Sequence, residues 1–440
     1  MIRLFMLLNC FFCVGIFDTT FGQVYDYTNT DQTTEKLFVE KNWATLLTES
    51  KKAIQNGTNF YNLRIRRGIA YIYQKKYKLA VIEFEAAQHF FPADTVGKYY
   101  LCLAHNELGN QAQAQSKANR LPETLRKELN MKKQTLLEAG VFGSYAFFDA
   151  ENKLPDIVQK ETGEWNAYRG LAGGGVYIKH LAGKRLSFTH TASSFAFQNF
   201  KKVNYPAQKV IFYNDGVQIG GGTTMQIALP KQWKANLACQ YNHIATYTET
   251  FNQTKSMYEV TKFSKGGILA GGYIEKGCKN VDIIAGSYWN NFLQYYTLQE
   301  TVGITYYPFS NTKLFLRANI SFLQNLAETY VNYQQTKLIL LKANAQMYKT
   351  IWLSASYLRG DTQNFFDIEN NAIYYTADRT KQQFQSNLYF LLTKNLRLSV
   401  GYTWLERSSD RFITYNRTSA TTQAISYFAH QISTLLAWKF

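Results

Sequence analysis

Charge is scarce in this chain, and so are cysteine, histidine and long apolar runs. Of 440 residues only 18% are charged. Beyond an apolar stretch near the N-terminus, no run approaches the roughly 20 residues that a spanning helix needs, which excludes a helical membrane protein. Cys10 and Cys13 fall in that leading stretch. Cys102, Cys239 and Cys278 lie far apart with no CxxC spacing, which argues against a disulfide framework or a zinc site. There are six histidines, but neither a GxSxG elbow nor an HExxH pair. His190 has Ser187, Thr189, Thr191 and Ser193 nearby, yet on a pleated strand those hydroxyls face away from it. Glycine clusters at 173–175, 220–222, 266–267 and 271–272 are not followed by Gly-Lys-Ser/Thr and sit inside strand patterns. They read as bends, not phosphate loops. No enzyme, metal or cofactor is expected.

What the chain does have is aromatic residues, 32 Tyr and 31 Phe. Abundant aromatics with little charge and no long apolar run fit a membrane β-barrel, which alternates lipid-facing and lumen-facing residues and carries aromatic girdles. At the start, Arg3, an apolar run from Leu4 to Phe17, and small residues at Thr20 and Gly22 read as a secretory signal over residues 1–22, cleaved before Gln23. Asn9 and Phe12, which precede the two leader cysteines, are poor substitutes for the small residue a lipobox wants. The net charge of +17 would invite nucleic acid in a cytosolic protein. In an exported one it fits lipopolysaccharide phosphates, an anionic solute or general surface charge, and no nucleic-acid partner is expected.

Two periodicities divide the mature chain. Residues 23–135 carry helical spacing and residues 136–440 strand spacing. In the first part Gly68 and Ala80 are small enough for two helices to approach. Tyr71 and Phe84 fill the space between them, Ala87 continues the face, and Pro92 ends the second helix. A period of 34 places a degenerate copy at 95–128, with Leu101, His105, Ala114 and Ala118 at matching positions. A third pair is expected between Thr33 and Ile54. These positions resemble the tetratricopeptide repeat, and three repeats are about the minimum for a stable array.

From Leu136 onward, stretches such as 233–241, 314–322 and 396–404 alternate apolar and polar residues over about ten positions, long enough to cross a bilayer as a tilted strand. Tight turns near Ala182–Lys184, Pro230–Lys231, Gly277–Asn280, Ser310–Thr312, Tyr348–Lys349 and Lys394–Asn395 alternate with longer polar links near 150–166, 199–208, 248–257, 290–295, 323–332, 360–371 and 407–420. This predicts an α + β membrane protein: a short helical domain, then an antiparallel barrel of about 14 strands with both ends on the periplasmic side. The final strand ends with Leu436, Trp438 and Phe440 on one face, below Ile432 and Phe428. That resembles the closing strand of Gram-negative outer-membrane barrels, which the barrel-assembly machinery reads.

Signal, short repeat array and terminal barrel together resemble the YaiO-like outer-membrane proteins and, more distantly, the exopolysaccharide-export porins, whose arrays are longer. The resemblance implies an outer-membrane location with the repeats in the periplasm. It also implies contact with lipid and lipopolysaccharide, and a periplasmic protein docked on the repeats. In the export porins the barrel passes a polymer outward. Candidate lumen-lining residues are Lys234, Gln240, Arg317, Asn319, Lys342 and Arg397, with Asn344 and Ser399. Two readings of the cations stay open: a pore that favours anions, or braces paired with lumen carboxylates such as Asp282. The corresponding functions are a pore or exporter, and a non-conducting anchor that presents the repeats.

Overall fold

The computed structural model describes residues 27–440 apart from 154–162, 206–207, 253–254, 256, 292–294, 328–333, 363–364, 368–371, 375–378 and 417–418. The expected signal and most of the 150–166 link therefore lie outside the described residues. Among the described residues the chain forms seven α-helices followed by a closed antiparallel barrel of fourteen strands.

The helices are α1 (Tyr27–Val39), α2 (Trp43–Gln55), α3 (Tyr61–Tyr73), α4 (Tyr77–Phe90), α5 (Thr95–Glu107), α6 (Gln111–Ala118) and α7 (Glu123–Glu128). Side-chain caps start two of them: Asn42 accepts from the Thr45 amide, and Asp94 from the Val96 and Gly97 amides, satisfying donors that a helix start leaves open. The α3–α4 hairpin closes on Gly68, where any Cβ would run into the Phe84 ring. Phe84, Ala80, Ala87 and Leu101 are fully buried in one core, with Tyr71 packed against it. Pro92 follows the end of α4. In the α5–α6 hairpin, Cys102, Ala114 and Ala118 are fully buried at the places that Gly68, Ala80 and Phe84 hold one period earlier. Beside this core, Glu83 receives Arg64 at 2.7 Å and Arg67 at 3.0 Å. A buried carboxylate is tolerable there because both oxygens are paired.

The barrel strands are β1 (Leu136–Phe148), β2 (Gly163–Leu181), β3 (Leu186–Tyr205), β4 (Gln208–Ala228), β5 (Trp233–Asn252), β6 (Met257–Gly277), β7 (Val281–Asn290), β8 (Tyr295–Tyr306), β9 (Leu314–Ala327), β10 (Gln334–Tyr348), β11 (Ile351–Thr362), β14 (Arg379–Leu391), β15 (Leu396–Asn416) and β16 (Ser419–Lys439). A separate hairpin, β12 (Phe365–Asp367) and β13 (Ala372–Tyr374), stands between β11 and β14. Each strand pairs with its neighbour, and β16 closes the ring on β1 from Glu138↔Lys439 to Phe148↔Ala429. All six tight turns fall between strands. Three of the long links do not hold as loops: β3 and β4 occupy nearly all of 199–208, β5 and β6 most of 248–257, and β15 and β16 most of 407–420. Polar residues on both faces of these strand segments imitate a loop.

Alternation sorts the side chains. Val141, Val176, Ile219, Leu237, Val302 and Ile320 point outward and are 47–57% exposed, giving an apolar outer wall. Leu436, Trp438 and Phe440 share that wall, and the Phe440 amide bonds to the Leu137 carbonyl at 3.0 Å. Several strand glycines make room for an aromatic directly across: Gly140 faces Tyr177, Gly216 faces Phe197 and Gly271 faces Tyr288. The ring covers the gap left by the missing side chain. At Gly173 and Gly174 a Cβ would strike the carbonyls of neighbouring strands, so these positions are bends of close backbone approach, as expected of glycine in a strand.

At the end remote from the helices, β15 also pairs with β2, from Arg411↔Trp165 to Ile413↔Gly163. The β15–β16 hairpin thus reaches over the end of β1, which stops at Phe148. Beside it, Trp165, Phe200, Tyr427 and Ala150 form a cluster at most 2% exposed.

Candidate functional site at the base of the barrel

The helices sit on one mouth of the barrel and reach into it. Lys78, in the first turn of α4, is 7% exposed. Its ammonium pairs with Asp282 on β7 and lies 3.9 Å from the centre of the Tyr307 ring. The Lys78 amide donates to the Ser310 carbonyl at 2.9 Å, and Asn311 Nδ2 donates to the Lys75 carbonyl at 3.1 Å. Burial pushes the Lys78 ammonium down from its ordinary range, against the pull of Asp282. On the opposite rim Ser116 Oγ donates to the Lys184 carbonyl at 2.5 Å, and Ala112 packs on Leu137 and Leu181. Asp282, named in one of the two open readings as a brace for lumen cations, holds the helical body instead.

Between the helices and the mouth lies a chamber of about 420 Å³. Lys78, Glu85, His105 and Lys117 line it from the helices, and Lys184, Arg185, Lys234 and Glu275 from the barrel. His105 is 8% exposed, with Nδ1 unpartnered. Burial, reinforced by Lys117 and Lys234, pushes its imidazole down to about 3, so it is neutral at ordinary pH. Burial raises the Glu85 carboxyl, opposed by Lys117 and Lys276. It lowers Lys117, where Glu85 opposes the shift and Arg120, Arg185 and Lys98 add to it. Cations therefore crowd this junction more than its carboxylates offset them.

All the sequence-selected lining residues face inward, but they do not stand in an open bore. Lys234 pairs with Glu275 at 2.8 Å, and Arg397 with Glu138 at 3.2 Å. Arg317 Nε donates to Thr305 at 2.6 Å. Lys342 lies opposite Arg317 in the β9–β10 register. Gln240, Asn319 and Ser399 are 5–7% exposed, and the Oδ1 atoms of Asn319 and Asn344 are buried without a partner. Above them Leu323, Leu338 and Leu358 pack together at 1–5% exposure. Gln299 donates to Thr301, which bonds Ser321 at 2.8 Å. Along β8–β11 the lumen is filled with side chains. On β1–β4 the inward residues include Ser144, Thr189, Thr191 and Ser193, all only half-buried.

The pleating argument for His190 holds, but its hydroxyl partner comes from the next strand: Nδ1 is 2.8 Å from Thr223 Oγ1, and Nε2 is 3.0 Å from His180. His243 Nε2 lies 3.0 Å from Ser264 Oγ. Both groups are on the exposed outer wall, outside any cleft. The Lys78–Asp282 pair and the chamber escaped sequence reasoning. Their partners come from separate periodic segments, and no local pattern announces that a helix residue enters a barrel.

No protein-family profile and no curated protein matches the chain. It is similar in structure to the P. putida toluene transporter TodX, with 8% identity and a TM-score of 0.43 over 74% of this chain and 92% of that one. It is similar also to a Pseudomonas aeruginosa FadL homologue, with 9% identity and a TM-score of 0.42 over 79% and 94%. An anion-selective porin from Comamonas acidovorans is more distant, with 10% identity and a TM-score of 0.31 over 70% and 100%. The closed strand order, not these distant likenesses, defines the class: a fourteen-stranded antiparallel barrel with an apolar outer wall and a helical body on one mouth.

Proposed function

We propose that this chain is an outer-membrane barrel of the pore or exporter kind, held shut by its own periplasmic helices. The closed ring of strands and its apolar outer wall support the membrane reading, since only a closed barrel satisfies strand hydrogen bonds in lipid. The helices, read as tetratricopeptide-like hairpins, are the docking face for a periplasmic protein. That partner, by drawing them off the mouth, opens the way for an anionic solute or a surface polysaccharide. The single observation that carries the reading is the Lys78–Asp282 pair, which anchors the helical body inside the mouth. A second reading, a non-conducting anchor, draws on the Leu323–Leu338–Leu358 layer.

Planar-bilayer conductance separates the two. The gated reading expects a silent wild type and steady openings from Lys78→Glu, which sets like charges against each other at Asp282. Silence from Lys78→Glu, with proteolysis showing the helices released, leaves the anchor reading standing.

A further inference from the structure

The chamber's rim carries cations from both bodies. Arg120 follows α6, and its Nη2 donates to the Lys184 carbonyl at 3.3 Å. Arg185 stands in the β2–β3 turn beside Lys184, close enough to Arg120 and Lys117 for each to feel its charge. Lys117 Nζ donates to a neutral partner, Gln88 Oε1, at 3.0 Å. Among the described residues none of Lys117, Arg120, Lys184 and Arg185 makes a carboxylate ion pair within 4.0 Å, and Glu85 is the carboxylate near enough to act on Lys117. Like charges held together across a docking interface oppose docking. The chamber behind them is of the size that small-molecule sites occupy, and it adds the buried His105.

We propose that this chamber is a binding site for a soluble oxyanion, a phosphate or carboxylate group, held between Arg120 and Lys117 of the helical body and Arg185 and Lys184 of the barrel. Guanidinium forks suit the paired oxygens of such groups. Because the ligand touches both bodies, it binds the seated state better than the released one and so tightens the seat. The inference rests on the reading of the helices as a stopper only for that last effect; the binding itself does not depend on conductance.

The test is calorimetric titration of the full chain in neutral detergent with inorganic phosphate, alongside hydrogen exchange of the α6 amides. The expected result is saturable binding with increased α6 protection. Arg120→Gln with Arg185→Gln should weaken binding about tenfold or more, the loss of one or two charge-assisted hydrogen bonds. Should that pair of changes impair folding, Lys117→Gln is expected to weaken binding in the same direction. No binding by the wild type, or equal binding by the folded variants, overturns the proposal. Protection that appears only in nanodiscs containing phosphatidylglycerol, with no response to phosphate, overturns the soluble-ligand assignment in favour of a lipid headgroup. Phosphate binding with unchanged α6 protection retains the site but removes its effect on the seat.

Discussion

The barrel has a tall wall and a short one. β2–β6, β15 and β16 run 19–21 residues, whereas β7–β11 and β14 run 10–15. At ~3.3 Å per residue and a tilt of ~40°, the tall strands rise ~50 Å, well beyond a ~25 Å apolar band, while the short ones scarcely exceed it. The walls differ inside as well. The short wall fills its share of the lumen with Leu323, Leu338, Gln299 and Thr301, and at its foot Asp282, Ser310 and Asn311 hold the helices. Low on the tall side, Thr189, Thr191 and Ser193 are half-buried, while towards its upper end Trp165, Phe200 and Tyr427 close a packed cluster. Both sides hold the helical body, through Asp282 on one and the Lys184 carbonyl on the other, but the small half-buried side chains lie on the tall side.

Breaking the anchor at the foot of the short wall should have the largest effect. Lys78→Met leaves Asp282 buried without its charge partner, a loss of about 3–5 kcal/mol. Thermal unfolding should show it, and adding Asp282→Leu should recover much of it. Equal melting of single and double variants would deny the anchor its role. Leu338→Ala, in the packed layer, is expected to cost about 2–5 kcal/mol through the cavity it leaves. The equivalent change on the tall wall, Thr191→Ala, should stay within about 0.5 kcal/mol. Heat-modified gel mobility of the folded barrel compares the two directly, and equal losses would erase the distinction between the walls. Gly173→Val tests the tall wall's close backbone spacing, with an expected cost of about 1–3 kcal/mol from overpacking. Its readout is the temperature at which that folded band is lost.

The smallest effect near neutral pH belongs to His105, yet it grows on acidification. Its folded pKa is depressed to about 3 from 6.5, so the unfolded chain binds the proton first. Stability is fully present above about 6.5 and falls as pH drops towards 3. His105→Gln should flatten that slope in pH-dependent melts; an unchanged slope assigns it to other groups.

The strand count was legible because period two and turn chemistry are local. Leu314, Leu316, Ala318 and Ile320 alternate with mostly polar neighbours over one bilayer's depth, and Gly183 adopts a φ of +112° in the tight turn between β2 and β3. The upper tall wall was not legible. Arg407-Ser408-Ser409-Asp410-Arg411 is polar on both faces, which in water is compatible with strand or loop, and only pairing with β16 decides it. The helical hairpin was legible down to the Gly68–Phe84 contact, since helix packing follows spacing. Its seat was not, because Lys78 and Asp282 stand 204 positions apart.

The Phe440 amide closes on Leu137, and Leu137 packs against Ala112 of α6. The seam of the barrel and the foot of the helical body thus share one residue. A tug on the helices therefore reaches the β1–β16 seam as well as the Asp282 anchor, so the joint that finishes the ring also bears mechanical load.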